Sequence, residues 1–286
     1  MTPNLNLQQP GGSTIDWMFR CLTWRHRRLP DLIIIGAQKA GTTSLFHYLL
    51  QHPQLVPSSI KEVHYFDGGL NPAVDTFQKG ERWYRAHFPL AARCQNGSKV
   101  FEASPFYLFH PLVPERMAAV VPKAKLIVLL RNPTDRAISH YFHARRVGYE
   151  DLPIDQALRA EESRVRGLVE RQQWKDPTLR HYTYKARGRY AEQLERFMGK
   201  FPRNQLLVLN SERLACEPER VLRSVFEFAE IDSAFQIKNL QRKNVGSGKK
   251  EVSQELTSYL GEYFAPHNNR LFDLLGEDYG WNSIAS

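Results

Sequence analysis

The feature that most constrains this chain is the stretch DLIIIGAQKAGTTSLFHYL, which begins at Asp31. Leu32 to Ile35 supply four apolar residues, enough for a short buried strand. Gly36 opens a small-residue turn, and Thr42 to Leu50 predicts the first turns of an amphipathic helix. A strand, a glycine loop and a helix N-terminus together make a phosphate cradle. Backbone N–H groups point out of the loop, the helix dipole adds partial positive charge, and glycine allows close backbone approach. Gly36 and Gly41 keep the spacing of the ATPase loop G-x-x-x-x-G-K-[ST], but Thr42 stands where its lysine belongs and Lys39 lies inside the loop. An ordinary strand-to-helix turn needs neither Lys39 nor the hydroxyl run Thr42, Thr43, Ser44, all of which suit phosphate.

The rest of the chain alternates in the same way. KVFEA (Lys99 to Ala103), KLIVLL (Lys125 to Leu130) and NQLLVL (Asn204 to Leu209) read as strands. Helical patterns cover Phe77 to Phe88, Pro114 to Val121, Arg136 to Arg146 (capped by Thr134 or Asp135), Gln156 to Gln173 on the surface, Glu219 to Ala229 and Ser253 to Leu275. This order predicts an α/β fold, a single domain with a central, mainly parallel sheet flanked by helices and a P-loop-like first turn. With 286 residues and 42% hydrophobic content the chain can bury one full core. The expected domain runs from 30 to 282. Before it, 1–29 forms an extension whose polar, Pro/Gly-rich start is expected to be partly disordered.

Two further stretches carry chemistry. KEVHYFD, from Lys61, places Glu62 and His64 on one side if it is extended, an arrangement suited to taking a proton from a hydroxyl. Arg131 follows a strand, where open α/β sheets bind ligands, and Ser139 lies two helical turns beyond it. The basic, glycine-rich segment Lys238 to Lys250 suits a lid over a polyanion.

Lys and Arg total 39 against 30 Asp and Glu, a net charge of +9 that favours an anionic ligand, an acidic polymer or an anionic membrane surface. Ile15 to Arg28, with two tryptophans and a closing basic cluster, reads either as a short helix packed on the domain or as a weak membrane-surface contact. No apolar run has the length of a bilayer span. Cys21, Cys94 and Cys216 are widely spaced, so neither a disulfide framework nor a metal site is expected, and a reducing, cytoplasmic setting fits. A P-loop kinase is disfavoured by Thr42 and by the lack of a strand ending in a magnesium-binding aspartate. A non-catalytic polyanion-binding module has no need of Glu62, and the aromatic-basic interleaving of a single-strand nucleic-acid channel is missing, so no nucleic-acid partner is expected.

Five motifs in order, IIIGAQKAGTTSL, KEVHYFD, EASPFYL, LLRNPTDRAISHY and LGEYFAPHNNRLFDLLGEDYGW, resemble the sulfotransferases that use 3′-phosphoadenosine-5′-phosphosulfate (PAPS) and release PAP. The resemblance is nearest to the heparan sulfate 3-O-sulfotransferases and N-sulfotransferases. It implies the sulfotransferase fold and a transfer of sulfuryl to a hydroxyl or amine of a carbohydrate or glycolipid. Small-molecule, lipid and hydroxyacyl alcohols stand as other acceptors. Lys39, Ala40, Gly41, Thr42, Thr43 and Ser44 would hold the 5′-phosphosulfate, with Lys39 on the bridging oxygen, while Arg131 and Ser139 would grip the 3′-phosphate. Glu62 matches the general base, with His64 its helper or substitute. His64 and Asp67, and from the variable loops Arg187 (with Arg145, Arg146 and Arg189), would lie near the acceptor. Gly246, Ser247 and Lys249 match the C-terminal cofactor loop loosely, and no metal is implied. Two departures stand out: Ala103 replaces a usual lysine, and the C-terminal loop lacks its disulfide cysteines, which favours a bacterial-like relative.

Overall fold

Four short runs rich in leucine, isoleucine or valine, and the more mixed KVFEA, become the strands β1 (Leu32–Gly36), β2 (Leu55–Pro57), β3 (Lys99–Ala103), β4 (Lys125–Leu130) and β5 (Leu206–Asn210). The structure, a computed structural model, describes residues 13–241 and 252–282. All strand pairs are parallel, in the order β2-β3-β1-β4-β5. β1 is buried along its whole length, as a parallel strand covered on both faces should be. Pro57, which has no N–H for a ladder, sits in the edge strand β2.

The helices are α1 (Thr14–Leu22), α2 (Thr42–Leu49), α3 (Gly80–Arg85), α4 (Val113–Val120), α5 (Pro133–Arg146), α6 (Ile154–Glu170), α7 (Pro177–Tyr182), α8 (Tyr190–Met198), α9 (Ser211–Cys216), α10 (Pro218–Ala229) and α11 (Gln254–Leu275). The sheet and its covering helices share one large core. A second, smaller core joins α5, α6 and α11 through Ile138, Tyr141, Leu158, Leu260 and Phe264. α6 is therefore more than a surface helix: Leu158 and Val165 face inward, and the buried Glu161 carboxylate accepts the N–H groups of Lys185 and Ala186.

Connections leave β1 toward β2 and β4 toward β5, on opposite sides. Their carboxyl ends thus flank the crevice where such sheets bind ligands. Close packing fixes the start of the phosphate loop, since a Cβ on Gly36 would lie 2.5 Å from Leu108 Cβ. Gly41, at φ 95°, takes the left-handed turn that launches α2.

Three expectations change in detail. The helix expected over Phe77 to Phe88 is a 3₁₀ turn, Thr76–Lys79, and then the short α3, because Gly80 at φ 75° interrupts the spiral between them. α5 is capped neither by Thr134 nor by Asp135. Asn132 accepts the Thr134 N–H at 3.0 Å, and Pro133, which lacks an N–H, takes the first helical position. KEVHYFD is not extended: Glu62 (φ 65°) and His64 (φ 52°) both take the left-handed region.

Candidate active site

Five non-glycine residues among those described have left-handed backbones: Lys39, Glu62, His64, Gln172 and Glu230. Three of them are the residues singled out for catalysis. Such a conformation costs on the order of 1–2 kcal/mol in an L-residue and persists where the surroundings over-determine it. Here the surroundings are visible. Glu62 N–H donates to Ala103 O at the end of β3 (2.9 Å), and Tyr65 N–H donates to the Tyr107 hydroxyl (2.9 Å). Between them His64 N–H reaches Ser104 Oγ at 3.4 Å. Beneath lies Glu102, fully buried, which accepts from Tyr84 (2.5 Å) and Ser104 (3.4 Å). Burial outweighs those donors and pushes its carboxyl up to about 7.

The kinked backbone still turns Glu62 and His64 toward each other. His64 Nε2 lies 3.4 Å from Glu62 Oε2, and its Nδ1 lies 2.6 Å from Asp67 Oδ2. Burial works against a charged imidazole, but the two carboxylates overcome it, Asp67 most, and raise His64 to about 9. Burial likewise works against Glu62, yet the His64 hydrogen bond and the adjacent Lys61 ammonium hold it down at about 2. Asp67, completely buried, is held well below the usual carboxylate range by His64 and Arg180. The outcome at neutral pH is a carboxylate–imidazolium–carboxylate chain whose outer member, Glu62, remains partly open to solvent. With both ring nitrogens engaged, His64 orients Glu62 and has no lone pair to act as base itself.

His64 gains affinity for its proton on folding. Its ion pairs therefore add full stability below its ordinary pKa, near 6.5, and this is lost as pH rises through about 9. We expect a loss on the order of 2–3 kcal/mol between those limits, absent in His64→Gln. Urea unfolding of both proteins at pH 6.5 and pH 9.5 measures it, and parallel losses would contradict the assignment.

Opposite this chain stands the phosphate loop. Lys39 is pulled down to about 8 by burial and by the charges of Arg146, Arg131 and Arg136, with Glu62 acting the other way. Arg131 Nη1 donates to the Lys39 carbonyl at 3.0 Å, linking the end of β4 to the loop on β1. The Arg131 carbonyl accepts from Tyr190 OH (2.8 Å), and the neighbouring Asn132 N–H donates to Glu212 (3.0 Å). Ala40 is buried in the loop, and Thr42 and Ser44 are buried in the first turn of α2, with Thr43 half-buried. Asp135, Ser139 and His143 follow Arg131 at intervals of four, and Arg146 stands three beyond, so one face of α5 looks toward the loop.

The expected residues Lys39, Arg131, Glu62, His64 and Asp67 thus lie beyond the carboxyl ends of β1, β3 and β4, and Ser139 stands on the face of α5 that carries His143. Arg187 does not join an acceptor surface. It is buried over the rings of Phe106 and Phe109, and its guanidinium donates to Thr183 Oγ1, the Arg180 carbonyl and the Gln38 side chain. Its place is beneath the phosphate loop, bracing Gln38. Arg145 and Arg189 turn instead to Glu150 and Glu192. Gly246, Ser247 and Lys249 lie outside the described residues. Sequence reasoning missed Gln38, Ser104, His143 and Arg180. The i, i+4 spacing from Ser139 would have found His143, whereas Arg180 carries no local signal.

This cleft can hold a polyanion. Arg146, Arg131 and Arg136 all press on Lys39, and Asp135, 3.8 Å from Arg131, is the one carboxylate that forms an ion pair with any of these four among the described residues. Arg136 is completely buried with Nε and Nη1 lacking protein partners. Glu161 offsets part of the Arg136 charge, and the cations that remain fit a ligand with several phosphate-like groups.

The model of the family described as "Sulfotransferase domain" matches residues 29–262. The chain is 31% identical to a sulfotransferase of solved structure from Alicyclobacillus acidocaldarius, covering 90% of this chain and 100% of that one, with a TM-score of 0.72. It is 30% identical to heparan sulfate glucosamine 3-O-sulfotransferase 3B1 of Mus musculus, over 90% of this chain and 66% of that protein. It is also 31% identical to the mouse bifunctional heparan sulfate N-deacetylase/N-sulfotransferase 1, over 91% of this chain but only 32% of that protein's length. A mouse sulfotransferase, SULT7A1, solved with PAP, shares the fold at 14% identity (TM-score 0.50, 90% of this chain, 92% of that one). By fold, motif order and these matches, the chain belongs to the sulfotransferase domain family.

Proposed function

We propose that this sulfotransferase takes a sulfuryl group from PAPS and passes it to a hydroxyl, or an amine, of a saccharide acceptor, with Glu62 as general base. The observation that carries the reading is the His64-oriented Glu62 carboxylate facing a carboxylate-poor, lysine-bearing phosphate loop. PAPS supplies an activated sulfuryl on a phosphate leaving group. Loop N–H groups, Thr42, Thr43 and Ser44 would bind that phosphate, and Lys39 would neutralise the charge gathering on its bridging oxygen. Arg131 and Ser139 would hold the 3′-phosphate, a planar fork being better matched to a dianion than an ammonium.

Glu62 then receives the acceptor's proton while the new S–O bond forms and the S–O bond to the leaving phosphate breaks. A carboxylate held at about 2 is a weak base in Brønsted terms. If sulfuryl transfer is loose, as phosphoryl transfer is in most analyses, the hydroxyl becomes acidic only late, and position matters more than basicity. The saccharide class is supported by the heparan sulfate relatives, and Ala103 argues for a less heavily sulfated acceptor than theirs.

The first experiment is calorimetric binding of PAP beside ADP and AMP without magnesium. Tight PAP binding with weak ADP and AMP supports the reading, and equal affinities or a magnesium requirement would end it. Arg131→Ala is expected to weaken PAP by about 10²-fold while changing adenosine 5′-phosphosulfate, which lacks the 3′-phosphate, by less than about threefold. Equal losses for the two ligands would remove Arg131 from the 3′-site.

A further inference from the structure

Helix α1 buries none of its residues, yet it is strongly two-sided. Ile15, Met18, Phe19 and Leu22 are exposed by 77%, 58%, 49% and 72%. They follow one another at i, i+3, i+4 and i+7, a single apolar stripe. The opposite side is fastened to the domain. The Trp17 ring meets Trp83 edge-on (6.2 Å) and His87 (5.0 Å), and Arg20 Nη1 donates to the Ala86 carbonyl at 2.8 Å. Just beyond the helix, Arg27 Nη1 donates to Phe88 O at 2.7 Å. The stripe is therefore held outward by the fold.

The rim has one sign. Arg25, His26, Arg82 and Arg93 are exposed on the 3₁₀ turn Trp24–His26 that follows α1, on α3 and on the turn Ala91–Arg93. None of the four makes an ion pair among the described residues. The acids of the same face, Asp16 and Glu81, are already matched by Arg20 and Arg85. An apolar stripe edged by arginine complements a surface that is greasy inside and anionic outside. A second copy of the chain would bring the same arginines against each other. Nine residues span only about 14 Å, too short to cross a bilayer, and no described helix is long and apolar enough to cross one.

We propose that α1 and its arginine rim dock this sulfotransferase on the surface of an anionic lipid bilayer, with the Ile15–Met18–Phe19–Leu22 stripe seated at the headgroup boundary. This surface is separate from the transfer site and stands whether or not the PAPS reading holds.

The test is co-sedimentation of the full chain with vesicles of phosphatidylcholine alone and with added phosphatidylserine. Wild type is expected to bind the anionic vesicles at least about tenfold more tightly, and less so as salt is raised. The double variant Ile15→Gln/Leu22→Gln is expected to lose about tenfold, and Arg25→Glu/Arg93→Glu a similar amount. Unfolding temperatures within about 2 °C of wild type show that both variants are folded, as expected for side chains outside the core. Equal binding by wild type and both variants, or no preference for phosphatidylserine, would overturn the proposal. So would a self-association in sedimentation velocity that Ile15→Gln/Leu22→Gln abolishes, since the stripe would then belong to a second copy.

Discussion

Glu62→Gln is expected to lower kcat by about 10²–10⁴-fold while leaving PAP affinity within about twofold. The amide is nearly isosteric but cannot take a proton, and it no longer bears the charge that helps hold His64 protonated. Glu62 approaches the phosphate loop from the β3 side and makes no hydrogen bond to it among the described residues, so donor binding should be spared. Single-turnover kinetics beside PAP calorimetry separate the two effects. Unchanged turnover would remove Glu62 as the base. Lost PAP binding would recast it as part of the donor site.

Lys39→Ala should cost nearly as much, about 10²–10³-fold in kcat, with a smaller rise in KM for the donor. The ammonium is drawn down to about 8, first by burial and then by Arg146, Arg131 and Arg136, so in the resting protein it is poorly solvated and stands in a repulsive field. A polyanion relieves that repulsion, and charge moving onto the leaving oxygen relieves it further. The interaction therefore strengthens as the reaction proceeds, which is the condition for acting on kcat. Lys39→Arg tests geometry against charge. Substantial recovery would show that charge suffices, and an equal loss that the position of the ammonium matters. An unchanged kcat with only KM raised in Lys39→Ala would contradict the assignment.

Much of this was legible in the chain because it is written locally. Strand β1, its glycine loop and α2 are contiguous, and Arg131 announces itself by following the apolar run of β4. The course of KEVHYFD was not legible. Its pairing of Glu62 with His64 was argued on the condition that it runs extended, but the backbone takes left-handed turns at Glu62 and His64 because Ala103, Ser104 and Tyr107, about forty residues away, supply its hydrogen bonds. Tertiary partners overrode local pattern there. Arg187 failed for a related reason. An arginine is ordinarily a surface residue, and only the fold shows two phenylalanine faces and Gln38 waiting for it. α1 lay between two readings, and the structure gives it both a packed side and an exposed apolar one.

Three neighbouring strand ends divide the work: β3 steadies Glu62, β1 carries the loop, and β4 delivers Arg131. Adjacent strands lie about 4.8 Å apart whatever the length of chain between them. The intervals along the sequence from Lys39 to Glu62 and on to Arg131 therefore carry no chemical information. Insertions or deletions within the crossovers should be tolerated as long as strand register is kept, whereas one residue added inside β3 or β4 would shift a reacting group by a whole pleat. A distant relative is better sought by the order of its strand ends than by the spacing of its motifs.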